Sequence, residues 1–190
     1  MPPRVKPAKR PYHTTRRAAS AAQTREAILA AAKSRFEARG WVATTIAAIA
    51  ADAGVSPKTI EAAFGTKAAL LAAVVDWAIR GDIDPTPMAD RQGVQAERDA
   101  PDADTMLNLH ASRSAEIASR SAHLAWVIET AATTDKRVAD LWARMTRNLR
   151  FGVNMTAETL LQKPGIRADL TARTPRRSSS SRCTGARTAR

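Results

Sequence analysis

Two short apolar-periodic stretches flank Gly54-Val55-Ser56, and the tight turn they imply constrains the fold more than any other feature of the chain. Ile46, Ile49 and Ala50 recur at helical spacing before the turn, and Ile60 and Phe64 do so after it. Gly54 supplies a backbone shape that a residue with a Cβ resists. Ser56 is a good N-cap, and Pro57 falls at the first helical position, where a missing N–H costs nothing. Thr44 or Thr45 caps the earlier stretch, and the small residues Ala50 and Ala53 let the two helices approach closely. The spacing predicts a helix over 45–53 and another over 57–63.

The flanks extend the same pattern. Ile28, Leu29, Ala32 and Phe36 make one apolar face of a helix over 24–39, with Thr24 as its N-cap and Gly40 as its stop. Leu70, Leu71, Val74, Trp77 and Ala78 do the same for a helix over 67–80. Further on, the periodicity predicts helices over 102–119, 121–133 and 135–162, after a loop rich in Asp, Pro and Gly with one helical turn near 90–97. Alanine is abundant, aromatics are 4% of the chain and β-branched runs are few, so the expected fold class is all-α.

Two short helices joined by a tight glycine turn are the core of a helix-turn-helix. Its second helix can offer Lys58, Thr59, Ala62 and Ala63 to a major groove, while Thr45, Ser56, Pro57 and Lys67 stand where the DNA backbone passes. The N–H groups at the Ser56 end favour an anion such as phosphate. The expected partner is therefore double-stranded DNA.

The string Thr44-Thr45-Ile46-x-x-Ile49-Ala50-x-x-Ala53-Gly54-Val55-Ser56-x-x-Thr59-Ile60-x-x-x-Phe64-x-x-Lys67-x-x-Leu70 resembles the N-terminal domain of TetR-type (tetracycline-repressor-like) regulators. Ile28-Leu29 and Phe36 through Gly40-Trp41 extend the resemblance upstream, so that it covers 24–80. It implies an all-α homodimer whose N-terminal domain binds an operator and whose C-terminal helical domain senses a small molecule and dimerises. Two positions depart from the family pattern. Glu61 stands where the family usually has an aromatic that meets a phosphate, and Ala63 where it often has His or Tyr. Affinity is then expected to lean on Lys58, Lys67 and the basic N-terminal arm.

The net charge of +12 lies wholly in the two ends: residues 1–23 hold six basic residues and no acid, residues 171–190 hold another six and no acid, and 18 of each sign remain between them. Basic ends suit a polyanion such as DNA, and solvated disordered ends are the alternative. The chain divides into a disordered basic arm (1–21), a helix-turn-helix domain (22–82, motif 45–64), a helical ligand-sensing and dimerisation domain (83–170) and a disordered basic tail (171–190). The resemblance calls for two last dimerisation helices, and the Arg/Ser/Pro tail supplies none, so these helices are expected to be missing. A change of reading frame near residue 171 and a natural basic tail are the two explanations. The functional alternative is accordingly a truncated or frameshifted remnant that lacks its dimer interface and binds DNA weakly and non-specifically.

Met106, His110, Trp126, Trp142 and Met145 are candidates for a pocket holding an unknown small-molecule effector, with ordinary core packing as the competing reading. No cofactor and no metal is expected, because His, Cys, Asp and Glu nowhere cluster with ligand spacing. No nucleophile has a base beside it, so the chain is not expected to be an enzyme. The lone Cys183 has no internal disulfide partner, and no apolar run approaches the roughly 18 residues of a membrane span. A cytoplasmic setting without a membrane partner is the expectation.

Overall fold

The computed structural model describes residues 12–167, with side chains from residue 18 onward. The expectations for residues 1–11 and for the tail from 171 fall outside the described residues. Seven α-helices follow in order: α1 (Tyr12–Ala43), α2 (Ile46–Asp52), α3 (Pro57–Phe64), α4 (Lys67–Arg80), α5 (Gln92–Asp99), α6 (Ala103–Ala132) and α7 (Lys136–Leu160). A 3-10 turn at Met88–Asp90 precedes α5, and no strand occurs among the described residues. The fold is all-α, as the periodicity requires.

Most helix starts have a side-chain cap. Thr45, Ser56 and Thr66 accept from the backbone N–H three residues on, each at 3.1 Å. Asp102 and Asp135 accept in the same way at α6 and α7. Such caps contribute about 1 kcal/mol each. Of the two candidates for α2, Thr45 is the cap. Thr44 is buried, and its hydroxyl donates to Gly40 O at 2.7 Å, tying down the end of α1.

The structure corrects three expected boundaries. Helix α1 begins at Tyr12, directly after Pro11, so residues 12–21 are helix rather than disordered arm. Ala18, Ala19, Ala21 and Ala22 favour helix strongly enough to carry it beyond the buried face. Thr24 is consequently an interior residue whose hydroxyl donates to Ser20 O at 2.9 Å, not a cap. Helix α6 is continuous through 119–121, where two helices were expected. That stretch holds neither Gly nor Pro, and Arg120 fixes it by donating to Ala78 O (2.9 Å) and Ile79 O (3.3 Å) at the end of α4. Helix α5 is two turns long rather than one.

One apolar cluster unites the chain. Ile28, Leu29, Ala32 and Phe36 of α1 meet Ile49 and Ala50 of α2, Ile60 of α3, and Leu70, Leu71 and Val74 of α4. Leu124, Val127 and Ile128 of α6 and Val138 and Leu141 of α7 belong to the same cluster. Each large side chain fully buried here contributes about 1.5–3 kcal/mol of transfer free energy.

Helix α5 is docked by charge. Glu97 is 3% exposed and accepts from Arg113 Nε (2.5 Å) and Nη2 (2.9 Å) of α6, with His110 Nδ1 at 3.1 Å. Burial pushes its carboxyl up, but the bonds from Arg113 and His110 outweigh that and hold it below the usual range. The loop before α5 is fastened by Arg91, which grips Asp82 through two bonds of 2.8 Å and lowers its pKa to about 2. At the far end, Lys163 donates to Arg98 O and Ala100 O, and Ala103 N donates to Pro164 O, so the segment after α7 closes onto the start of α6.

Candidate nucleic-acid interface

The reading head is built from α2, the turn and α3. Gly54 turns with φ 66, and Val55 N donates to Ala50 O at 3.0 Å, closing the link between the helices. Ile49 and Ala50 on one helix and Ile60 on the other are buried, so their packing sets the angle between the two. Arg35 of α1 reaches Asp52 with a bidentate pair, Nη2 to Oδ1 at 2.6 Å and Nε to Oδ2, which pins the end of α2. That pairing raises the Arg35 pKa and lowers the Asp52 pKa.

With Ile60 turned inward, α3 presents Pro57, Lys58, Thr59, Glu61, Ala62 and Ala63 to solvent. This places Pro57, Lys58, Thr59, Ala62 and Ala63, all expected at the DNA, on one exposed surface. Thr45 and Ser56 are exposed as well, but each uses its oxygen to cap a helix. The Ser56 hydroxyl also lies 2.8 Å from Thr59 Oγ1. Capping occupies a lone pair and leaves the hydroxyl hydrogen of Thr45 as a donor.

Lys67 is placed differently from the expectation of a free cation beside the DNA. Its ammonium donates to Trp41 O (2.7 Å) and Thr44 O (2.9 Å) and lies 4.1 Å from the centroid of the Trp41 ring. Burial lowers its pKa, and Asp135 at the start of α7 opposes that shift. Lys67 is therefore a clamp joining α4 to the end of α1. The sequence pattern shows a lysine at this position but not which oxygens it meets.

Arg25 was not singled out by sequence. It projects from α1 over Phe64 of α3, with its guanidinium carbon 4.6 Å from the ring centroid. Beside it runs a groove of about 390 Å³ between α1 and α3, lined by Ser20, Ala21, Thr24, Arg25, Ile28, Thr59 and Ala63. The signal was present in the unbroken alanine-rich helix upstream of Thr24, which the reading of residues 1–21 as an arm obscured.

The five effector-pocket candidates do not converge. Met106 and His110 precede Trp126 by twenty and sixteen residues on the single helix α6, which at 1.5 Å per residue separates them by about 30 and 24 Å. Met106 is buried, His110 is bonded to Glu97, and Trp126 is 65% exposed. Trp142 and Met145 pack against the apolar cluster. Among the described residues, no group of three His, Cys, Asp or Glu could hold a metal ion, and no single helix is long and apolar enough to cross a membrane.

Residues 28–74 match the family profile described as bacterial regulatory proteins, tetR family. No curated protein matches the chain. The matched span runs from the buried face of α1 through the reading head into α4, which is the set of elements that presents α3 to solvent. With this reading head and this match, residues 28–74 form a DNA-binding domain of the tetR regulator type, and the chain that carries it is a DNA-binding transcriptional regulator.

Proposed function

We propose that the protein is a small-molecule-responsive repressor that binds a palindromic operator as a homodimer. Lys58 and Thr59 reach base edges or neighbouring phosphates, and the small Ala62 and Ala63 let the duplex come close to α3. Thr45 and Ser56, beside Pro57, hold the DNA backbone, and Lys67 positions the head rather than touching DNA. Two such heads, about 34 Å apart, meet successive major grooves on one face of the duplex.

The observation that carries this reading is the way α4 is held at both ends. Lys67 clamps its start to α1 with Asp135 of α7 nearby, and Arg120 of α6 holds the carbonyls at its end. A ligand that moved α6 or α7, within the sensing domain assigned to 83–170, would therefore move α4 and with it α3. Dimerisation is supported by α7, where Leu149 and Phe151 are 68% and 69% exposed, and Val153 and Met155 are exposed as well. Leu149 and Val153 lie on one side of α7 and Phe151 and Met155 on the other, so two apolar stripes, separated by Arg150 and Asn154, are left without cover.

The same exposed stretch favours a second reading, in which the chain is a regulator remnant without its dimer interface, binding DNA weakly as a monomer. Selection of bound duplexes from a random pool, with the mass in solution measured alongside, separates the two. A recovered palindrome and a dimer mass are expected. Equal affinity for every duplex at physiological salt would overturn the operator reading, and a monomer mass would favour the remnant.

A further inference from the structure

We propose that the groove between α1 and α3 is a second DNA-backbone site, and that Arg25 is its phosphate-binding residue. This rests on the chain binding DNA through α3, and adds to that reading a contact from another helix. Helix α3 is poor in phosphate partners of its own, because Glu61 is an acid and Ala62 and Ala63 carry no polar group. The small Ala63 side chain has a structural consequence, since with Thr59 it leaves the wall of α3 low and the groove open. Arg25 stands at that opening, across from Thr59 and Ala63.

Three features suit this groove to a phosphate. The guanidinium lies over Phe64, which holds a long side chain in place while leaving its N–H donors for an outside acceptor. Among the described residues no carboxylate pairs with Arg25, and Glu61 is not part of the groove lining. The groove also carries the hydroxyls of Ser20 and Thr59, side chains of the kind that meet phosphate oxygens, while the Thr24 hydrogen is already given to Ser20 O. The duplex then rests on two helices, with base edges read from α3 and one strand's phosphates held against α1.

The test measures binding of the full chain to two duplexes, one selected from a random pool and one with the same bases scrambled, between 50 and 200 mM salt. The variants are Arg25→Gln and Arg25→Lys, with thermal unfolding followed for each. Arg25→Gln is expected to weaken binding by about tenfold on both duplexes and to reduce the slope of log K against log salt by about 1 per subunit. Arg25→Lys, which keeps the charge, is expected to restore the slope. Unchanged affinity and slope in Arg25→Gln would overturn the proposal. So would a loss confined to the selected duplex, which would mark base reading. A fall in unfolding temperature that accounts for the lost binding and that lysine does not rescue would reduce Arg25 to a packing residue and overturn it as well. If the wild-type chain binds both duplexes equally, the operator reading fails, while the comparison of Arg25 variants on either duplex still decides the phosphate contact.

Discussion

The reading head and the α6–α7 hairpin are both helical and both contribute to one apolar cluster, yet they differ in how completely they satisfy themselves. In the head, Ile49, Ala50 and Ile60 are buried, α2, α3 and α4 are each capped by a hydroxyl, and the end of α1 is closed by Thr44 and Lys67. In the hairpin, the half near the 133–135 turn is packed through Leu124, Val127, Ile128, Val138 and Leu141, whereas the middle of α7 leaves Leu149, Phe151, Val153 and Met155 exposed. Among the described residues of the head, Val42 at the end of α1 is the one large apolar side chain left well exposed, at 83%. The hairpin is one side of a larger surface, and its exposed length points to a contact outside the described residues. A regulator built this way can keep its reading geometry while the other half changes partners.

The contrast can be broken most forcefully at Phe36, which is fully buried beneath the head. Phe36→Ala should cost about 3–5 kcal/mol and abolish DNA binding together with the helical signal on mild heating. A loss of binding with unchanged unfolding temperature would show that the head does not depend on this core. Next in size is Glu97. Glu97→Ala removes the acid that docks α5 and should cost up to about 3 kcal/mol, seen as faster hydrogen exchange in α5 with α2 and α3 unaffected.

The same group predicts a pH dependence. Its carboxyl is held below the ordinary value of 4.5 in the folded chain, so its contribution is complete above that value and disappears as the pH falls through the folded one. Acid should therefore loosen α5, and a wild-type unfolding temperature that stays flat from pH 6 to below this range would rule the link out.

A smaller effect is expected at Ser56. Ser56→Ala should cost about 1 kcal/mol through the lost cap of α3, while Ser56→Asp should keep most of the stability and weaken DNA binding by repulsion. The smallest change discriminates most. Phe151→Ser should alter the stability of a monomer by less than about 0.5 kcal/mol. If the hairpin is covered by a second copy, the wild-type unfolding temperature should depend on protein concentration, and the same substitution should instead lower that temperature together with the mass in solution.

What was legible in the sequence was local. Gly54, Ser56, Pro57 and Asp135 act through neighbours within a turn, so their residue types announce a turn, a cap or a helix start. The span of α4 followed from five apolar residues at one spacing, closed by Gly81 with φ 85. Relations across space were not legible. Ser119-Arg120-Ser121 resembles a boundary until Arg120 is seen holding carbonyls forty residues earlier in the chain. Lys67 looks like a free cation until the end of α1 is placed beside it. Residue types likewise did not show that Met106 and His110 lie far from Trp126 along α6, or that Trp142 and Met145 pack against the apolar cluster from α7. Arg25 was missed because its partner Phe64 lies on another helix.

The outward face of α3 has one more consequence. Lys58, Glu61 and Ala62 lie in solvent while Ile60 alone of this short helix is fully buried. Substitutions at these three positions should leave folding almost untouched, because surface changes away from caps and core rarely exceed about 0.5 kcal/mol. Target preference can therefore be rewritten, by selection or by design, without first raising the stability of the scaffold, and successive changes need no compensating partners elsewhere.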